Sequence, residues 1–274
     1  MKAITHGKHV VTANKALLAT YGTEIFRAAQ EHGVMVAFEA AVAGGIPIIK
    51  ALREGLTANR IQWIAGIING TTNFILSEMR DKGLDFDVVL KEAQRLGYAE
   101  ADPTFDIEGV DAAHKATLMS AIAFGIPVQF DKAHVEGITK LQASDIRYAE
   151  QLGYRIKLLG IARRTEHGIE QRVNPCMVPI GSLIAATDGV FNAVVADGDF
   201  ADKVALVGRG AGAGVARESV QSSESVVLKR FNDAMLNDYR KSQGGLILGR
   251  RGSASSIPDD EFFRPLQAQQ QQQL

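Results

Sequence analysis

The chain has 274 residues, 46% hydrophobic and 22% charged, with a formal net charge of −1. This globular composition supplies neither the basic field that nucleic acid attracts nor an acidic tail. Cys176 is the only cysteine, which excludes an internal disulfide and a cysteine-rich metal centre and fits a reducing compartment. The first residues lack the apolar core of a secretion signal. The longest apolar run, residues 40–49, holds two glycines and a proline and is too short to span a bilayer. The expectation is a cytoplasmic protein with no nucleic-acid or membrane partner.

In chain order, Lys8–Ala13 reads as a β-branched strand. Asn14 caps a helix over Lys15–Glu31, Gly33 stops it, and Val34–Phe38 is a second strand. Strand, helix, strand at this spacing predicts one parallel βαβ unit. Ala43-Gly44-Gly45 turns the chain, and Pro47 opens a helix to about Gly55. Arg60–Ile68 predicts a long strand, and Thr71–Lys82 and Phe86–Leu96 predict helices. Pro103 disfavours helical conformation at Asp102, so Glu100–Asp106 reads as a loop. Helices follow over Val110–Phe124, stopped by Gly125, and over Ser144–Leu152, with Ser144 as cap. Strand-like runs are Ile156–Ala162, Ile169–Val178, Val190–Ala196 and Val204–Val207. Helices followed by strands predict a mixed sheet covered on one face. From Val215 the sequence turns polar. A helix fits Val226–Tyr239, and the end, with glutamines at 269–273, reads as disordered.

The stretch Leu96–Lys115 concentrates negative charge: Glu100, Asp102, Asp106, Glu108 and Asp111 precede one lysine, Lys115. Asp111 and Lys115 stand four apart and share a helix face. Two readings stand. One is a solvated acidic loop with an ordinary ion pair, worth roughly 0.2–0.5 kcal/mol. The other is a receptor for an ammonium-bearing metabolite, because clustered carboxylates repel unless cations enter among them. Lys115, held by Asp111, would then exchange a proton with a reacting oxygen. His9, His32, His114 and His134 show no metal-ligand spacing, and Cys176 reads as core filler.

The run Ala93-x-x-x-Gly97-Tyr98-Ala99-Glu100-x-Asp102-Pro103-x-x-Asp106-Ile107-x-Gly109-x-Asp111-x-x-x-Lys115 resembles the signature of homoserine dehydrogenase. Residues 10–15, 39–47 and 70–75 agree with that family in order, so the likeness runs from about Lys8 to Gly214. The resemblance implies interconversion of L-aspartate 4-semialdehyde and L-homoserine with NADP or NAD, towards threonine and methionine. It makes Lys115 the proton donor and puts Lys15 beside nicotinamide and substrate. Asp111 and Asp106 would bind substrate, with Glu100 and Tyr98 in the same pocket. Gly97, Glu100 and Gly214 would lie near the cofactor. Gly70 and Thr71 open a helix whose free N–H groups suit a carboxylate. The resemblance also implies a structural monovalent cation, usually sodium, held by Glu39 and the carbonyls of Val42, Gly44 and Ile46. Read alone, that glycine-rich turn equally serves a tight strand-to-helix passage. The run Gly208–Gly214 lacks the strand–turn–helix context of a dinucleotide fingerprint and reads equally as a connector between domains.

The expected fold is α/β with an α+β second domain. A partial Rossmann-like nucleotide-binding domain (1–38) precedes a mixed-sheet catalytic and dimerisation domain (39–207) and an atypical tail (208–274). The nucleotide domain is expected to be truncated at its N-terminus, leaving cofactor affinity weak. A homodimer or homotetramer is expected. The alternatives are a non-catalytic remnant that binds amino acids or joins intact subunits, and a small-molecule-binding α/β domain.

Overall fold

The computed structural model describes residues 1–211, Ser219 and the backbone of Arg264 and Pro265. A short helix α1 (Lys2–Thr5) precedes strand β1 (Val10–Val11), helix α2 (Lys15–Glu31) and strand β2 (Val36–Ala37). β1 and β2 pair in parallel, Val10 opposite Val36. The Asn14 side chain accepts the Leu17 N–H at 3.0 Å and caps α2. This is the βαβ unit that the spacing predicts. Its helix docks on the rest of the protein through Thr23, whose hydroxyl accepts the Val128 N–H at 3.1 Å.

A 3₁₀ turn at Glu39–Ala41 leads to α3 (Ile48–Lys50), which continues as a π turn over Ala51–Gly55. Strand β3 (Ile61–Ile67) is followed by α4 (Gly70–Lys82), α5 (Phe86–Arg95), α6 (Thr104–Ile107) and α7 (Val110–Phe124). Strand β4 (His134–Val135) and α8 (Ala143–Gln151) come before β5 (Tyr154–Thr165) and β6 (Gly168–Pro179). Then α9 (Leu183–Ala186), β7 (Phe191–Gly198), β8 (Asp202–Arg209) and the two-residue β9 (Arg264–Pro265) complete the described elements. The main sheet runs β4-β6-β5-β3-β7-β8, with β9 beside β6. Its pairings are antiparallel except β4 with β6.

Three local expectations are corrected. Glu100–Asp106 is not all loop, because Thr104–Ile107 closes one helical turn directly after Pro103. Proline restricts the residue before it, not those after it. The Ser144 cap gives way to Gln142: the helix begins at Ala143, and the Asp145 carboxylate accepts the Gln142 N–H at 2.9 Å. The sheet carries buried apolar residues on both faces, not one. Ile64, Ile156, Leu158 and Val173 join the core with the helices, whereas Trp63, Ile67, Leu159, Ile161 and Cys176 form a second buried cluster with Ile184 and Ala185 of α9. The central strands are accordingly buried almost continuously, as strands covered on both faces are. Cys176 fills this second cluster, and burial pushes its thiol up to about 11.

Two glycines let backbone and helix close around the acidic segment. A Cβ at Gly160 of β5 would lie 2.7 Å from Ile68 Cδ1 and 3.1 Å from Ala116 Cβ, so its absence seats α7 on the sheet. A Cβ at Gly137 would lie 2.2 Å from the Ile107 carbonyl oxygen. That approach lets the Ile138 N–H reach the Ile107 carbonyl at 2.8 Å and pins the turn that carries Asp106. The predicted helix at Val226–Tyr239 and the tail beyond it lie outside the described residues. No helix among the described residues is long and apolar enough to cross a membrane.

Candidate active site

A cleft of about 530 Å³ opens between α2, the β3–α4 junction, α7 and the end of β8. Asp111 and Lys115 occupy one face of α7 because four residues make about one helical turn. The Lys115 ammonium donates to Asp111 Oδ2 at 2.6 Å and to the Ile68 carbonyl at 2.8 Å. Its side chain is 13% exposed, so it is sheltered yet reaches the cleft. Lys15, at the start of α2, places its ammonium 3.2 Å from Asp111 Oδ1 and 5.9 Å from the Phe105 ring centre. Asp111 thus faces two lysines. Burial opposes its charge, but Lys115, Asn69 and Lys15 outweigh burial and hold its carboxyl below the ordinary range.

Asp106 sits on the α6 turn and lines the same cleft. Burial pushes its carboxyl up, against a hydrogen bond from Asn69. The two aspartates therefore differ: one is pinned as a carboxylate, the other is biased towards taking a proton. Gly70 and Thr71 line the cleft at the N-terminus of α4, and Gly97 and Tyr98 line it after α5. The Thr71 hydroxyl donates to the Tyr98 carbonyl at 2.8 Å, and the Tyr98 ring packs on Phe74 at 4.7 Å. His114 faces away from this group, between the Phe105 and Phe130 rings, and burial lowers its pKa.

Most of the predicted site residues therefore converge. Glu100 does not join them: it is exposed, its carbonyl accepts from Gln94 at 3.1 Å, and it reaches the cleft only as a like charge near Asp106. Gly214 lies outside the described residues. Around the candidate cation loop, Ala43 and Gly44 both have positive φ, 54° and 53°. Glu39 is buried, and its two carboxylate oxygens accept the Ile49 and Lys50 N–H groups at 2.8 and 2.9 Å. The Ile46 carbonyl accepts the Ile48 N–H at 2.7 Å. Gly44 lines the cleft, and a Cβ there would lie 2.4 Å from the Gly210 carbonyl oxygen.

Sequence reasoning missed Asn69. Its amide donates to Asp106 Oδ1 at 2.7 Å and to Asp111 Oδ2 at 2.8 Å, while its carbonyl accepts the Thr72 N–H at 2.8 Å. An asparagine beside a helix start signals a cap, and nothing in the local sequence signals its contacts with Asp106 and Asp111. Asn192 and Arg209 also line the cleft and were not anticipated. They arrive from β7 and β8, more than a hundred residues along the chain from the acidic segment's partners on α4.

A βαβ unit beside a mixed sheet, with a cleft lined by two aspartates and a sheltered lysine, defines an α/β protein with a polar, small-molecule-sized cleft. The comparisons carry this to a family. The model described as homoserine dehydrogenase matches residues 47–223, and its NAD binding domain matches residues 1–39. The homoserine dehydrogenase of Pseudomonas aeruginosa is 66% identical over 212 residues, covering 77% of this chain and 49% of that protein. The crystal structure of a homoserine dehydrogenase from Thiobacillus denitrificans superposes with a TM-score of 0.80 at 68% identity, covering 82% of this chain and 52% of that one. A hyperthermophilic archaeal homoserine dehydrogenase in complex with NADPH gives a TM-score of 0.73 at 29% identity, covering 83% of this chain and 66% of that one. The chain belongs to the homoserine dehydrogenase family. It spans about half the length of the curated relatives it matches.

Proposed function

We propose that this chain carries the substrate cleft of an NAD(P)-dependent homoserine dehydrogenase, interconverting L-aspartate 4-semialdehyde and L-homoserine in the cytoplasm. The observation that carries this reading is the Lys115 ammonium, held at the cleft wall between a carbonyl and a carboxylate. Asp111 and Asp106 receive the substrate ammonium. The free N–H groups that open α4 at Gly70 and Thr71 receive its carboxylate. Tyr98 closes one wall. A nicotinamide bound beside Lys15 and Gly97 would supply the hydride in reduction and accept it in oxidation. In reduction Lys115 gives its proton to the aldehyde oxygen, which becomes the hydroxyl of homoserine. In oxidation the neutral Lys115 amine takes the hydroxyl proton. Lys15 would orient substrate and nicotinamide from the opposite side of Asp111, and Gly97 would lie near the cofactor.

Glu39, with the carbonyls of Val42, Gly44 and Ile46, would hold a monovalent cation such as sodium. The donor set is all oxygen, which suits a hard ion. We further propose residues 1–38 as part of the nucleotide domain, 39–207 as the catalytic and dimerisation domain, and 208–274 as a tail, in a homodimer or homotetramer.

The test is semialdehyde-dependent oxidation of NADPH or NADH, with calorimetric titration of homoserine. Lys115→Ala is expected to abolish turnover while the melting transition persists, and oxidation of homoserine is expected to rise towards alkaline pH. A Lys115→Ala protein as active as its parent would remove the lysine from the mechanism. Homoserine binding without turnover in the parent would favour an amino-acid-binding role instead.

A further inference from the structure

The junction between β3 and α4 is two adjacent residues with complementary duties. Ile68 offers its carbonyl to Lys115, and Asn69 offers its amide to both cleft aspartates. The orientation of that amide is decided by the helix it caps. Its oxygen accepts the Thr72 N–H at 2.8 Å and the Thr72 hydroxyl at 3.0 Å, so rotating it would set an NH₂ group against an N–H donor. Its two N–H bonds are left to point at Asp106 and Asp111. Asn69 is itself buried.

From this geometry we propose that Asn69 is a positioning residue that joins Asp106 and Asp111 into one receptor for the ammonium of the substrate. The inference rests on the amino-acid dehydrogenase reading above. Two carboxylates sharing a sheltered site repel, and one then tends to take a proton. A neutral donor between them lowers that cost without competing as a cation for the site. The groups facing the pair are few. Asp106 meets Asn69 from α4, Asp111 and Lys115 from α7, and the charge of Glu100 from the preceding loop. Asp111 meets Lys115 on its own helix, Asn69 from α4 and Lys15 from α2, with His114 adjacent on α7. Lys15 and Lys115 bond to Asp111, so Asp106 depends on Asn69 more than its neighbour does. Asp106 Oδ2 has no protein donor among the described residues and is free for a ligand N–H.

The test is Asn69→Ser. Serine caps a helix about as well as asparagine but is too short to bridge the acids. Carboxyl NMR titration of Asp106 and Asp111 is followed in parent and variant, with homoserine affinity measured calorimetrically at the parent's Asp106 midpoint and at pH 8. The Asp106 midpoint is expected to rise by about one unit. Homoserine is expected to bind about fivefold more weakly to the variant at the parent's Asp106 midpoint, with most of the loss recovered at pH 8, where the second charge returns. A purely structural role would weaken binding equally at both values. An unmoved Asp106 midpoint, or a loss independent of pH, overturns the proposal while parent binding keeps the functional reading intact. A parent that binds no homoserine at either pH overturns the functional reading, and this proposal with it.

Discussion

Replacing Asp111 by asparagine removes the charge that both cleft lysines face. Asp111 is buried, and its side chain contacts Lys115 at 2.6 Å, Lys15 at 3.2 Å and Asn69 at 2.8 Å. Breaking a buried ion pair from one side costs about 3–5 kcal/mol. Two features reduce that here. Lys15 is 33% exposed and can turn to water, and Lys115 keeps the Ile68 carbonyl. About 2–3 kcal/mol remains, or a drop of roughly 5–10 °C in melting temperature for a domain of this size. The assay is thermal unfolding of parent and Asp111→Asn across pH. Because the folded Asp111 carboxyl is held below 3.8, its stabilisation is present above that value and is lost as the pH falls through the folded pKa. The gap between the two proteins should therefore be full at pH 7 and close in acid. Equal melting temperatures at pH 7, or a gap that persists in strong acid, would refute the electrostatic account of the cleft.

Lys157 is 1% exposed and donates to Asn73 Oδ1, the Thr187 carbonyl and Asp188 at 3.0, 2.7 and 2.9 Å. Lys157→Met strands those acceptors and should cost roughly 3–5 kcal/mol in denaturant unfolding. Burial opposes the charge of Asp188, but Arg80 and Lys157 hold its carboxyl at about 2. Its stabilisation is complete above 3.8 and disappears as pH falls through about 2, so Asp188→Asn should flatten the acid limb of the stability profile. Gly160→Ala meets the side-chain end of Ile68, which can shift, and Ala116 Cβ, and should cost about 1–2 kcal/mol, whereas Gly137→Ala meets the Ile107 carbonyl and should cost about 3 kcal/mol or more. Comparable losses in the pair would contradict the close-approach argument. Sodium chloride should raise the melting temperature more than an equal concentration of choline chloride, and Glu39→Gln should abolish the difference.

Local chemistry wrote much of this protein legibly. Helix α2 spans the predicted Lys15–Glu31 because Asn14 caps it, and α7 spans the predicted Val110–Phe124 because Gly125 ends it in a left-handed turn. The Asp111–Lys115 pair was visible because its spacing is one helical turn. The sheet strands follow their β-branched runs. What periodicity cannot carry is long-range contact. Only the fold brings Asn69 within reach of Asp106, 37 residues on, and Asp111, 42 residues on, or the Ile68 carbonyl to Lys115, 47 residues away. The same limit hid the second buried face of the sheet and the Lys157–Asp188 cluster. A hydrophobic pattern says which side chains leave water, but the neighbours they meet are chosen by packing.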